Sequence, residues 1–279
     1  MSKIEFVAAE SCTVGELLER NGVSKRLVKK LKALPDGITK DGKNIRTVDT
    51  VLSGESIFIA PRDEKTLSPN PELSVEILYE DSDIAVFDKP YNMPVHPSIL
   101  HYTDSLGNFF AYNYPGISFR PLNRLDRDTT GVCVAAKNAY AANLISKSLK
   151  KVYFAVVCGC LTGSGRIDLP IARLDGSIIK RTVSESGQRA VTNYEAVSHS
   201  RDNRYTLLKI TLETGRTHQI RVHFSSLGYP LAGDDMYGGD LSDITRQALH
   251  CREISFVSVN GEVVTVESPL PNDMERLFK

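Results

Sequence analysis

Pro121-Leu-Asn-Arg-Leu-Asp-Arg-Asp-Thr-Thr-Gly131, running into Val132-Cys-Val-Ala-Ala136, sets four charged side chains immediately before an unbroken apolar run. The run reads as a buried strand and the charges as a loop at its mouth. Charges entering a core edge need partners, because an unpaired buried charge costs several kcal/mol. Arg124, Asp126, Arg127 and Asp128 therefore form either a turn held by local ion pairs or one half of a site completed from elsewhere in the chain.

The second half is found in Leu212-Glu-Thr-Gly-Arg-Thr-His-Gln-Ile-Arg-Val-His223. A strand ends at Leu212, Gly215 permits a tight turn, and Thr217 is placed to cap a helix with Ile220, Phe224 and Leu227 on its core stripe. Arg221 adjoins Ile220, so its guanidinium emerges at a buried edge, where a bidentate carboxylate suits it. His218 and His223, five apart, suit hydrogen bonding better than metal ligation, and Cys158-x-Cys160 has no matching ligand pair. In Lys151-Val-Tyr-Phe-Ala-Val-Val-Cys-Gly159, alternation places Tyr153, Ala155 and Val157 on one strand face. Tyr153 is then either core with its hydroxyl at the rim or part of a site.

Working outward, Val75–Tyr79, Ile84–Asp88, Gly131–Ala136, Val152–Cys158 and Tyr205–Leu212 read as strands. Helices are expected near Tyr140–Lys150 and Thr217–Leu227. The order is α+β with a mixed, mostly antiparallel sheet, not regular βαβ alternation. Upstream, Thr13 and Glu16 have capping-box spacing, Ser24 caps a second helix with Leu27, Val28, Leu31 and Leu34 apolar, and Ser56–Ile59 is strand-like. We therefore expect a small α/β unit over residues 1–60, a Pro-rich linker over 61–74 and a larger domain over 75–279.

The chain has 279 residues, 41% hydrophobic and 24% charged, which excludes wholesale disorder. No apolar run approaches the roughly 20 residues that span a bilayer. The first residues lack the apolar stretch of a signal peptide, and five cysteines without framework spacing point to reduced thiols and a cytoplasmic setting. Net charge is zero, yet Arg20 to Arg46 carries nine basic residues against Asp36 and Asp41. Lys25, Arg26, Lys29, Lys30 and Lys32 spread over the second helix, as a solvated face or an anion-binding patch.

Together these segments resemble the RluA-type family of pseudouridine synthases, whose loop motif runs approximately H-R-L-D-x-x-T-S-G. The likeness extends from about Val75 to Leu270 through six segments in the family's order. They are Ile77–Pro90, the Asn123–Gly131 loop, Lys151–Gly159, Gln188–Val197, Glu213–Gly238 and Arg246–Cys251. Residues 1–60 look like the alpha-L RNA-binding fold of a ribosomal protein. Asn123 stands where the family has histidine, Thr130 where it has serine, and Tyr91-Asn92 where Ala-Gly is usual, so that Tyr91 is expected to reshape the rim where substrate enters.

The resemblance implies isomerisation of uridine within RNA, without cofactor or metal: the bond from ribose C1′ to uracil N1 breaks and C5 takes its place. Asp126 would be the essential carboxylate, as nucleophile at sugar or base, or as the base abstracting a ribose proton. Arg221 would hold Asp126 ionised and aimed. Tyr153 would stack on the base and receive the C5 proton, although an ordinary phenol pKa near 10 demands help. The nucleotide must be flipped to reach such a pocket, with Arg124 the candidate for occupying or clamping the vacated place and Ile220 and Leu249 either walling the pocket or serving as core. Ribosomal RNA of the large subunit is favoured as substrate over transfer RNA. A monomer with no membrane or obligatory protein partner is the default. Competing readings are a non-catalytic RNA-binding or ribosome-assembly factor, and a hydrolase using Asp126 and Asp128.

Residues 69–279 carry 22 basic and 24 acidic residues, against 12 and 10 in residues 1–68. The larger domain should hold RNA poorly by charge alone, so the basic helix is expected to anchor it.

Overall fold

A computed structural model describes residues 3–61 and 67–279. The apolar stretches supply one ten-stranded sheet built from β1 (Glu76–Glu80), β2 (Ile84–Lys89), β3 (Thr130–Ala136), β4 (Lys150–Cys158), β5 (Ser164–Asp168), β6 (Val191–His199), β7 (Tyr205–Leu212), β8 (Leu249–Val257) and β9 (Val263–Glu267). Arg120–Pro121 makes the tenth strand, alongside β3. The order is β5-β6-β7-β4-β8-β3-β2-β1, with β9 added to β8. Every pairing in this sheet is antiparallel except β3 with β8, so the fold is α+β with a mixed, mostly antiparallel sheet, as the sequence led us to expect.

The parallel pair decides where the site sits. It spans only Thr130–His250 and Gly131–Cys251, and then β3 swings away. Gly131 has φ +106°, and a Cβ there would lie 2.3 Å from the Cys251 carbonyl oxygen, so only glycine lets the two backbones meet. The charged loop therefore enters the sheet at its middle, beside β4 and β8.

The helices are α1 (Val14–Arg20), α2 (Lys25–Lys32), α3 (Leu106–Asn113), α4 (Ala139–Ile145), α5 (Gln219–Ser226) and α6 (Asn272–Glu275). The capping box of α1 forms in full, and Ser24 Oγ accepts the Leu27 amide to cap α2. Each cap contributes about 1 kcal/mol. The helix near Tyr140 stops at Ile145, short of the expected Lys150, because Lys150 pairs with Ser255 in the sheet. A helix C-terminus has no claim on a residue that a neighbouring strand can hydrogen-bond.

Leu17, Leu18, Leu27, Leu31, Ile57 and Ile59 close a separate small core with the strands Ile4–Val7, Ile38–Lys40 and Ser56–Ile59. Each such side chain contributes roughly 1.5–3 kcal/mol. Tyr140 of α4 enters this core, with its ring 5.3 Å from that of Phe6, and Asn143 Nδ2 donates to the Gly22 carbonyl at 2.6 Å. The N-terminal unit is thus docked on α4.

Of the stretch expected as linker, residues 62–66 lie outside those described. Its second half is tied down: Asn108 Nδ2 donates to the Ser68 carbonyl, Asn70 donates to Thr103, and Leu73 packs on the main core. No helix among the described residues is long and apolar enough to cross a membrane.

Candidate active site

The loop before β3 is held from several sides by polar groups that end in the core. Asn123, buried, donates from Nδ2 to the Val132 carbonyl (3.0 Å) and accepts the Val134 amide on Oδ1 (2.9 Å). Both bonds need an amide, which accounts for asparagine at this position. Lys89 ends β2 with no solvent exposure and donates to the carbonyls of Pro90, Met93 and Arg127 at 2.7, 2.7 and 2.9 Å. Burial pushes its pKa down to about 8, against the opposing pull of Cys133, Asp128 and Asp126. Arg246, also buried, grips Asp273 of α6 through two bonds of 2.7 and 2.8 Å and reaches the carbonyls of Gln247 and Asp128. Thr130 Oγ1 lies 2.9 Å from His250 Nδ1.

Within the loop, Arg127 and Asp128 form a local ion pair at 2.9 Å, the turn-stabilising arrangement, whereas Asp126 looks to α5. Arg221 Nη1 donates to Asp126 Oδ2 at 3.1 Å. The bidentate partner of Arg221 is not Asp126 but Asp234: Nε and Nη2 each donate to it at 2.7 Å, with both side chains buried. Burial alone would lower the arginine's pKa; the bonds and charge of Asp234, helped by Asp126, outweigh it and hold the guanidinium above its ordinary value. Fixed in this fork, Arg221 presents its third nitrogen to Asp126.

The start of α5 differs from expectation. Thr217 does not cap it. The cap position is His218, left-handed at φ +57° and without a side-chain capping bond, and Leu227 lies half exposed beyond the helix. The Gln219 side chain ties the preceding turn to β6 instead. Its Oε1 accepts the Arg216 amide and the Thr214 hydroxyl, while its Nε2 donates to Val191 O and Thr192 Oγ1 of β6. The kink brings His218 Nε2 to 3.7 Å from Asp126 Oδ2 and His218 Nδ1 to 2.8 Å from the Tyr237 hydroxyl. Burial lowers the His218 pKa, only partly countered by Asp126. His223 bonds to Thr192 and Leu169.

Asp126, Tyr153, Arg221, Arg124, Ile220 and Leu249 line one cleft, together with Leu125, Thr129, Leu212, Arg216, His218 and Gln219. Tyr153 lies opposite Cys251 in the β4–β8 register, just after a bulge, and is buried. Burial first, then Cys251 and Asp126, raise its pKa well above the ordinary phenol value. Arg124 stands exposed at the rim. The exposed Tyr91 lines a different cavity, behind the loop, with Asp88, Lys89, Arg246 and Asp273, so it does not shape this rim. Asn92, at φ +56°, occupies the left-handed region that a glycine would favour. The lysines of α2 and Arg26 lie on the exposed face of the N-terminal unit, and none of them lines the cleft.

Residues 83–226 match the family described as RNA pseudouridylate synthase. An uncharacterised RNA pseudouridine synthase of Bacillus subtilis, YjbO, is 36% identical over 96% of this chain and 98% of its own. Ribosomal large subunit pseudouridine synthase D of Pseudomonas aeruginosa is 39% identical over 86% of this chain and 82% of its own. The chain belongs to the RNA pseudouridine synthase family, of RluA type. This synthase is an isomerase that acts on uridine in RNA. Its fold is also that of human RNA pseudouridylate synthase domain containing 1, at a TM-score of 0.62 and 24% identity over 76% of this chain and 91% of that one.

Three groups that hold the synthase's catalytic loop or its arginine were not singled out by sequence reasoning, Asp234, Lys89 and Arg246, while His218 was read as a hydrogen-bonding residue without its place beside Asp126. Asp234 follows Arg221 by 13 residues across a loop, a separation with no periodic signature. Lys89 offered one weak signal, a cation closing the apolar run Ile84–Phe87. Among the described residues no group of three or more His, Cys, Asp or Glu is placed to hold a metal ion.

Proposed function

We propose that this synthase isomerises uridine in large-subunit ribosomal RNA, with Asp126 as the essential carboxylate. The observation that carries the reading is the single cleft in which Asp126, bonded by a pre-aimed Arg221, faces an aromatic ring and apolar walls. A carboxylate serving as nucleophile or as base must point at one atom, and a guanidinium already committed to Asp234 supplies that aim without reorganising.

Ile220 and Leu249 exclude water around the detached uracil, which would otherwise lose the ribose to hydrolysis. Tyr153 gives the base a stacking face, and its hydroxyl handles the C5 proton. In the resting site burial first, then Cys251 and the charge of Asp126, keep that hydroxyl protonated, so to take the C5 proton it must first pass its own to another base. Arg124, at the rim, fills the place the flipped nucleotide leaves. Lys25, Arg26, Lys29, Lys30 and Lys32 anchor the RNA through its phosphates. The ribosomal target is supported by the relative named for the large ribosomal subunit and by the separate basic unit.

The test is to incubate the protein with total RNA from a strain lacking it and map pseudouridine by carbodiimide-dependent reverse-transcription stops. New stops in large-subunit ribosomal RNA that vanish with Asp126→Ala are expected. Stops confined to transfer RNA would move the target there, and stops that persist in Asp126→Ala would remove the aspartate from its role.

A further inference from the structure

We propose that a second cavity, beside the catalytic cleft, binds a backbone phosphate of the RNA next to the uridine being isomerised; this rests on the reading that the Asp126 cleft receives that uridine. The cavity holds about 370 Å³ between the hairpin Ile171–Arg173/Arg181–Val183 and the chain entering α5. Arg173, Arg181 and Arg216 line it with Ser186, Gln188 and the backbone of Gly187 and Gly215, and no carboxylate is among the lining residues.

Three observations point to an anion. A terminal nitrogen of Arg181, Nη1, is buried without a hydrogen-bond partner, an unfavourable state that an anionic ligand relieves. Asp168 and Glu213 are engaged by Arg166 and Arg189 and do not line the cavity. Arg216, its stem fixed by a 3.1 Å bond from Nε to the Arg189 carbonyl, lines both this cavity and the catalytic cleft.

The lining also says which part of RNA it takes. Ile171 and Ala172 are its apolar side chains and no aromatic ring faces it, so a base would have nothing to stack on. A guanidinium fork matches phosphate oxygens in pairs, and Ser186 and Gln188 add neutral donors. Spacing fits as well. The Arg181 amide donates to the Tyr237 hydroxyl (2.9 Å), which lies 2.8 Å from His218, whose other nitrogen faces Asp126. Because Arg216 borders both spaces, a phosphate held by Arg181 and Arg216 lies beside the reacting nucleotide and holds the strand while the base turns.

The experiment measures pseudouridine formation in total RNA from a strain lacking the enzyme, at several KCl concentrations, for wild type, Arg181→Gln, Arg181→Lys and Arg173→Gln. Arg181→Gln is expected to raise the apparent KM about tenfold with kcat within about threefold, and to flatten the slope of log(kcat/KM) against log[KCl] by about 0.7–0.9. Arg181→Lys should keep the slope and lose part of the affinity. Arg173→Gln changes an exposed side chain, so it reports on the cavity even if Arg181 variants fold poorly. Unchanged KM and slope in Arg173→Gln and Arg181→Gln would overturn the proposal, as would a fall in kcat with KM and slope intact, which would assign Arg181 to positioning His218 instead. The RNA that carries the new stops tests the ribosomal target separately, because the salt slope is read whichever RNA is modified.

Discussion

Arg221, Lys89 and Arg246 are buried, and each commits its donors to named oxygens at 2.7–3.5 Å. The cations of α2 stand in solvent on a helix whose other face closes the small core. Both sets are basic and both belong to an enzyme that handles a polyanion, but they act over different ranges. A buried guanidinium works through geometry and is little affected by salt. An exposed lysine works through its field, which fades over about 8 Å at physiological ionic strength. Substitutions in the first set should therefore change kcat and folding, and those in the second should change salt-dependent RNA affinity alone.

Asp234→Asn puts the greatest strain on this contrast. It leaves Arg221 buried without its bidentate partner, so unfolding free energy should fall by about 3–5 kcal/mol in urea titrations. The rate constant for pseudouridine formation at saturating RNA should drop about 100-fold with the salt slope unchanged. A protein of wild-type rate would show that Asp126 needs no aimed guanidinium.

Lys89→Met removes the donor shared by three carbonyls, two of them in the segment after β2 and one in the catalytic loop. We expect a loss of about 3 kcal/mol, read from the shift in urea midpoint, and looser protection of the Arg127–Thr129 amides in hydrogen exchange. Equal protection in the two proteins would mean that the loop is held by Asn123 and Arg246 without it.

A pH series sharpens the same point. His250 is buried with its pKa pushed down to about 4, while the unfolded chain takes its proton near the ordinary 6.5. Between those values the unfolded state binds more protons, so stability falls as pH falls. Its contribution is present above pH 6.5 and is lost progressively toward pH 4, to the extent of about 2–3 kcal/mol. In His250→Gln that slope between pH 6.5 and 4.5 should flatten, and an unaltered slope would place the acid sensitivity elsewhere.

The smallest effect on the fold belongs to α2. Lys29→Glu with Lys30→Glu should stay within about 0.5 kcal/mol of wild-type stability. It should nevertheless weaken RNA binding at low salt about tenfold and flatten its salt slope, leaving kcat intact at saturating RNA. A changed kcat would mean that the N-terminal unit does more than anchor.

What the sequence revealed, and what it hid, follows the same division between local and long-range causes. The capping box of Thr13 and Glu16 and the cap at Ser24 are three-residue events, and both form as read. The strand Tyr205–Leu212 was legible to the residue from its apolar run. The start of α5 was not, because a left-handed residue at His218 and a turn tied by the Gln219 side chain leave no pattern in the chain. In the site, the types of Asp126 and Arg221 and their need for partners were readable, since buried charge is costly wherever it occurs. Which carboxylate takes the fork of Arg221 depends on where the chain brings Asp234 after the turn at Gly228, and no local rule states it. Lys89 is the same case: its three acceptors come from two loops that only the sheet brings together.

The most direct measurement follows the hydrogen that isomerisation must displace. RNA transcribed with tritium at uracil C5 loses that tritium to water when C5 bonds to ribose, and only then. Wild type should release it in step with pseudouridine formed, without free uracil, while Asp126→Asn should bind the RNA as tightly and release none. Release from Asp126→Asn at the wild-type rate, or free uracil from the wild type without tritium in water, would contradict the account.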